Sequence, residues 1–340
     1  MSAPREAVAV LKVIVGVVFL LSLLHSAGLT QTSLNDIHVV PREITPSVAN
    51  TMASAKLVDG SMLHVVKTDV KLVLVPVSVT DPSERLVSGL RAENFELLEG
   101  KKPQEIKHFS SEDAPVSIGI ILDASGSMRD KWNRVREAVT KFCEAGNPQD
   151  EFFMIVFADE PRLATDFTSA PEHLEKDLLF TQPKGRTALL DAIYMGLRKM
   201  KEAKYGKKAL LIISDGGDNH SLYEEKEIKA AAKESDVMIY AIGVFDRYVP
   251  TSEEMRGPGL LAGIAEPTGG RAFTIENVIE LPAVASHIGR ELRTQYVLGY
   301  RPEQMPRDGK WHKIQVKLRL PKKLSFLRAH SKTGYYAPAE

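Results

Sequence analysis

One short stretch carries side chains that can do chemistry together: Asp123-Ala124-Ser125-Gly126-Ser127. A carboxylate and two hydroxyls at alternate positions can turn three oxygens toward one point. No Cys or His lies close by to favour zinc or copper. Oxygen donors with an octahedral preference suit Mg²⁺, and Mn²⁺ or Ca²⁺ are also accommodated. The same residue types have a plainer use, because Asp and Ser after a strand cap helices.

The flanking residues set where these oxygens sit. Ser117-Ile118-Gly119-Ile120-Ile121-Leu122 is short, apolar and β-branched, as a strand buried on both faces should be. Met128, Trp132, Val135, Val139 and Phe142 then recur every three or four residues, which predicts a helix over Met128 to Ala145, with Gly146 as its C-cap. The motif therefore occupies a strand-to-helix loop at the carboxyl end of a strand, where open α/β sheets bind ligands.

Two later stretches add oxygens. Lys184-Gly185-Arg186-Thr187-Ala188-Leu189-Leu190-Asp191 places a Thr hydroxyl at the start of a helix. Leu210-Leu211-Ile212-Ile213-Ser214-Asp215-Gly216-Gly217 ends a second buried strand on an Asp. Asp123-x-Ser125-x-Ser127, Thr187 and Asp215 together resemble the metal-ion-dependent adhesion site (MIDAS) of von Willebrand factor type A (VWA) domains, with all five positions filled in the family's order and with similar spacing. The resemblance covers about Pro115 to Tyr300. The flanks resemble exported bacterial proteins, common in acidobacteria, that carry this domain between two β-rich segments.

This resemblance implies that Asp123, Ser125, Ser127, Thr187 and Asp215 hold Mg²⁺ directly or through water, leaving one position for an Asp or Glu of a protein ligand. It also makes Leu281 to Leu292 the counterpart of a carboxyl-terminal helix that can shift in relatives. Asp218 reads either as an outer helper or as a solvated loop carboxylate. Two other readings stay open. An occupied but idle site would leave contacts to the β segments. A metal-dependent hydrolase would need a base beside metal-bound water, and His220 is the nearby candidate. The sequence contains no H-E-x-x-H, no G-x-S-x-G and no P-loop, so the expectation is a binding protein and not an enzyme.

The surrounding chain divides by pattern. Basic Arg5 and Lys12 precede the apolar run Val13 to Leu24, so residues 1–28 read as a secretory signal peptide or, uncleaved, a membrane anchor. Either would export the protein to the periplasm, the cell surface or the medium. Residues 29–65 read as an irregular tether. Within 66–112, Val70 to Val79 is an alternating strand that Pro76 marks as an edge, and Asn94 to Leu98 with Glu105 to Phe109 reads as two strands around a turn.

Strands at Glu151 to Ala158, Ala209 to Ser214, Val237 to Val244 and Arg271 to Thr274 alternate with helices at Ala188 to Ala203, Tyr223 to Ser235 and near Leu260 to Ala265. Arg162 to Thr168 is an edge strand and Pro171 to Phe180 a short helix. The expected fold of 115–300 is thus α/β, a doubly wound, mostly parallel Rossmann-like sheet flanked by helices. Residues 307–338 alternate again, and this β segment is expected to complete a sandwich with 66–112.

Some features read plainly. Lys plus Arg and Asp plus Glu both number 44, so global charge points to no nucleic-acid partner, and to a membrane only through a retained amino-terminal segment. Cys143 is the single Cys, which excludes an internal disulfide. Asn219-His220-Ser221 fits a glycosylation sequon that a bacterial protein would leave unused. Arg307 to Lys332 holds nine Lys or Arg and one acid, and reads as a solvated strand face. Trp132 lies on the apolar stripe of its helix and reads as core.

Overall fold

A computed structural model of the protein describes residues 72–245, 252–302 and 308–338. The expected leader (1–28) and tether (29–65) lie outside the described residues. In chain order the strands and helices are β1 (Val73–Thr80), β2 (Phe95–Glu99), β3 (Lys102–Gln104), β4 (Ile106–Ser110), β5 (Ser117–Asp123), α1 (Trp132–Glu144), β6 (Glu151–Phe157), β7 (Pro161–Thr168) and α2 (Pro171–Phe180). They continue with α3 (Leu189–Lys199), β8 (Lys208–Ser214), α4 (Glu225–Glu234), β9 (Met238–Val244), α5 (Ser252–Ala265), β10 (Ala272–Ile275), α6 (Leu281–Arg293), β11 (Tyr296–Tyr300), β12 (Trp311–Leu318), β13 (Arg328–Ser331) and β14 (Gly334–Tyr336).

The central sheet has the order β10-β9-β8-β5-β6-β7, parallel throughout except for β7, which runs antiparallel at one edge. Every residue of β5 and β9 is buried, as continuous apolar runs between two helix layers must be. One face packs Ile120 and Leu122 against Val135 and Phe142 of α1, Leu174 of α2 and Ile288 of α6. The other packs Ile121 and Ile212 against Ile193 of α3, Ile228 of α4 and Leu261 of α5. This is the doubly wound α/β arrangement that the alternating pattern implies.

The remaining strands form two antiparallel sheets, β13-β1-β11-β4 and β14-β12-β2-β3. Each contains strands from both ends of the chain. Val75, Val77, Phe95, Leu97, Leu298, Tyr300 and Ile314 share one core between them.

Several elements differ from the sequence reading. β1 is an inner strand, paired with both β11 and β13. Pro76 is tolerated there because β13 pairs only with Val77 to Thr80, so the stretch around Pro76 has a neighbour on one side alone. The expected pairing of Asn94–Leu98 with Glu105–Phe109 is not made. β2 turns through Gly100, at φ +61°, into β3, and β4 crosses to the other sheet. Residues 296–300, grouped by sequence with the α/β domain, form β11 of an antiparallel sheet.

The first helix starts four residues late. A 3₁₀ turn at Gly126–Met128 precedes it, held by a bond from Met128 N to Ser125 O at 3.2 Å. α5 begins at Ser252, before the stretch near Leu260 to Ala265, and holds Gly257-Pro258-Gly259 within the helix. Trp132 is buried and its Nε1 donates to Leu178 O at 3.4 Å, tying α1 to α2. Among the described residues no helix is long and apolar enough to cross a membrane.

Candidate metal centre

β5 and β8 are neighbours in parallel register, with Leu122 opposite Ile213. Their carboxyl ends therefore deliver Asp123 and the Ser214-Asp215 pair to one place. Asp123 is fully buried. Its Oδ1 accepts from Ser125 N at 2.9 Å and its Oδ2 from Ser214 Oγ at 2.6 Å. The hydroxyls of Ser125 and Ser127 are 3.0 Å apart, and Ser127 Oγ donates to Asp215 Oδ2. Asp215 is only 2% exposed. Four of the five candidate residues thus form a continuous polar cluster at the sheet's end.

Thr187 reaches the same end through backbone ties. Lys184 N donates to Ala124 O at 2.8 Å and Gly126 N to Gly185 O at 3.1 Å, which fastens the loop before α3 to the serine loop. Gly185 has φ +90°, and a Cβ there would lie 2.5 Å from Asp159 Oδ2, so the turn needs glycine. Asp159 Oδ1 accepts from Arg186 N at 3.0 Å and holds the next residue. Thr187 itself is buried, donates its N–H to Asn219 Oδ1 at 3.1 Å, and accepts at its carbonyl from Asn219 N and His220 N.

Asp218 is neither a solvated carboxylate nor bonded to the cluster. Its Oδ1 accepts from Leu189 N at 2.9 Å, Leu190 N at 3.4 Å and Ser221 Oγ at 2.6 Å. It caps α3 from a different segment, and Ser221 Oγ accepts from Leu190 N and Asp191 N. Asp191 in turn accepts from Leu222 N and Tyr223 N. Sequence reasoning missed Ser214, Asn219 and Ser221 as positioning residues. The signal was the run of Ser, Asp and Asn after β8, residue types that satisfy free backbone donors and acceptors.

Burial pushes the Asp123 carboxyl up to about 7, and the nearby charge of Asp215 pushes the same way; hydrogen bonds from Ser125 and Ser214 oppose them. Among the described residues no Lys or Arg forms an ion pair with either carboxylate, and no group of three or more His, Cys, Asp or Glu has metal-binding geometry. The donor set is therefore two carboxylates and hydroxyls, hard oxygens that fit Mg²⁺ and do not fit a zinc site.

A doubly wound sheet with an acid-and-hydroxyl cluster at its carboxyl edge places this part of the chain in the doubly wound α/β class, in which that edge is where ligands bind. The von Willebrand factor type A domain family matches residues 117–287, about half of the chain, and the protein belongs to it. VWA domains generally mediate protein–protein interaction. No curated protein sequence matches the chain significantly.

Among solved structures the chain is similar to protein BatB from Bacteroides thetaiotaomicron, with 20% identity, 52% of this chain and 98% of that chain covered, and a TM-score of 0.42. The PilB minor pilin of Streptococcus sanguinis is 13% identical over 54% of this chain and 63% of that one, with a TM-score of 0.44. A von Willebrand factor type A protein from Catenulispora acidiphila is 12% identical over 79% of this chain and 75% of that one, with a TM-score of 0.47.

Proposed function

We propose that this protein is an exported, adhesion-type module that binds a protein ligand through a divalent cation, Mg²⁺ first and Mn²⁺ or Ca²⁺ as substitutes. Asp123, Ser125, Ser127, Thr187 and Asp215 would hold the ion. One observation carries the reading: two buried carboxylates and two serine hydroxyls meet in one hydrogen-bonded cluster at the carboxyl end of the sheet, and among the described residues no ion pair to either carboxylate is formed. A cation is what such a cluster favours, since burial and the charge of Asp215 both oppose ionisation of Asp123 and a bound cation would offset them.

When bound, the ion supplies a positive, oxygen-seeking centre that can accept a carboxylate from a partner. Two carboxylates at most balance its charge, so a further Asp or Glu is still attracted. The protein's own work is positional. Ser214 and the backbone of Ser125 fix the Asp123 carboxylate, and the ties among the loops before α3 and after β8 fix Thr187.

Isothermal titration of Mg²⁺ and Mn²⁺ into the chelator-stripped protein tests the site. Saturable binding in the wild type should fall at least about tenfold in Asp123→Ala, because the variant loses a charged, first-choice oxygen ligand. Absence of binding in both proteins would remove the metal reading. Under this proposal the site turns over no substrate. His220 is tied to the site through its backbone, and metal-dependent hydrolysis lost in His220→Ala would replace the proposal. Export rests on the run Val13 to Leu24; a mature chain beginning at residue 1 or 2 would point to a retained anchor.

A further inference from the structure

The chain is balanced in charge overall, but its carboxyl-terminal strands are not. From Gly309 to Lys332 there are eight Lys or Arg and no Asp or Glu. Two of these eight are paired across the fold, Arg319 with Glu96 at 2.8 Å and Lys332 with Asp236 at 3.2 Å. The other six, Lys310, Lys313, Lys317, Lys322, Lys323 and Arg328, form no ion pair among the described residues. Lys313, Lys317 and Arg319 stand exposed at alternate positions along β12 and its end, so they line one outward face.

That strip leads to an exposed connection. Residues 321–327 carry the chain from β12 in one sheet to β13 in the other. A 3₁₀ turn at Lys322–Leu324 sets their shape, with Leu324 N bonded to Pro321 O at 2.8 Å and Leu327 N to Leu324 O at 3.2 Å. Leu327 packs on the sandwich core and anchors the tip. Leu324 and Phe326 point away from that core, 40% and 48% exposed. Two large apolar side chains thus stand at a preordered tip, flanked by Lys322, Lys323, Arg319 and Arg328.

We propose that the 321–327 tip docks the protein onto an anionic phospholipid bilayer, with Leu324 and Phe326 entering the headgroup boundary and the surrounding Lys and Arg meeting lipid phosphates. Each part of the pattern has a use in that setting. Apolar side chains gain by leaving water for the acyl boundary, and each cation near a negative leaflet adds attraction. A soluble polyanion would match the charge but would leave Leu324 and Phe326 in water. The inference is independent of the candidate metal centre in the α/β domain, and holds whether or not that site binds an ion.

The test uses the full chain carrying Phe326→Trp, with its fluorescence read as the difference from the parent protein so that Trp132 and Trp311 cancel. The probes are vesicles of phosphatidylcholine alone and of phosphatidylcholine with about one-third phosphatidylglycerol, each with and without brominated acyl chains. We expect a blue shift and bromolipid quenching only with the anionic vesicles, even if the amino-terminal segment holds the chain on both. Adding Lys322→Glu and Lys323→Glu should lower the quenching-derived partition at least about tenfold, since each cation near the surface contributes to binding. Quenching equal in neutral and anionic vesicles, or unchanged by charge reversal, would overturn the proposal. So would a blue shift given by soluble polyphosphate with no quenching by anionic bromolipid.

Discussion

At the scale of single residues, the candidate site is braced by groups that are not among the five candidate ligands. Asp218 is the clearest, because its Oδ1 takes the first free N–H groups of α3, beside Thr187. Asp218→Ala should cost about 1–2 kcal/mol in urea unfolding, the loss of a helix cap with a half-buried bond to Ser221. Mg²⁺ affinity should fall only a few-fold, and an affinity loss as large as that of Asp123→Ala would make Asp218 a ligand instead. A second residue-scale prediction concerns pH. Lys207 is half-buried, its Nζ donates to Leu292 O at the end of α6, and burial pushes its amine down to about 8 although Asp113 and Asp150 pull it up. The unfolded chain then binds the proton more tightly, so this residue's cost is full below pH 8 and is relieved as pH rises toward 10.5. Relative to Lys207→Met, the wild type should gain roughly 3 kcal/mol between pH 7.5 and 10.5. Parallel stability curves for the two proteins would refute this.

At the scale of elements, what the sequence makes legible is burial and period. β5, β8 and β9 are read directly from unbroken apolar runs, and α1 and α6 from apolar residues every three or four positions. The order Asp, Ser, Ser, Thr, Asp is also legible because the first three share one loop and the others follow strand and helix boundaries. What is not legible is set by packing between distant segments. Nothing local separates β4 from β2, since each is a short strand after a turn and only the sandwich core decides which sheet each joins. Nothing local keeps Pro258 inside α5 either. Gly289 is a further case. In α6 it reads as a weak helix position, but a Cβ there would lie 2.9 Å from Ala145 Cβ and 3.0 Å from Phe142 O, at the crossing with α1. Gly289→Ala in an isolated helix should stabilise by about 1 kcal/mol. Here we expect net destabilisation of about 1–2 kcal/mol, because the two helices must separate to admit the methyl group. A raised midpoint in thermal unfolding would show that the crossing yields freely.

At the scale of the whole molecule, the α/β domain and the sandwich are joined through a buried polar network as well as through β11. Glu291 of α6 is fully buried; it accepts from Tyr240 of β9 at 3.0 Å and pairs with Arg271 at 3.2 Å. Arg271, just before β10, also pairs with Glu84 in the loop after β1. Gln295 extends the contact, its Nε2 donating to Ser78 Oγ of β1 at 3.3 Å and to Tyr240 OH at 3.1 Å. One guanidinium therefore neutralises a carboxylate from each part. A buried ion pair of this kind gives little net stability compared with apolar packing, yet breaking one side leaves an uncompensated charge. Arg271→Met should accordingly destabilise by about 3–5 kcal/mol, because Glu291 loses its cation while remaining buried. Adding Glu291→Leu should recover most of that loss, as removal of both charges removes the penalty. Denaturant unfolding of the two single variants and the double variant measures the coupling directly. If the double variant is no more stable than Arg271→Met, Glu291 is not the group left stranded, and the tie between the two parts rests on Gln295 and the β11 ladder.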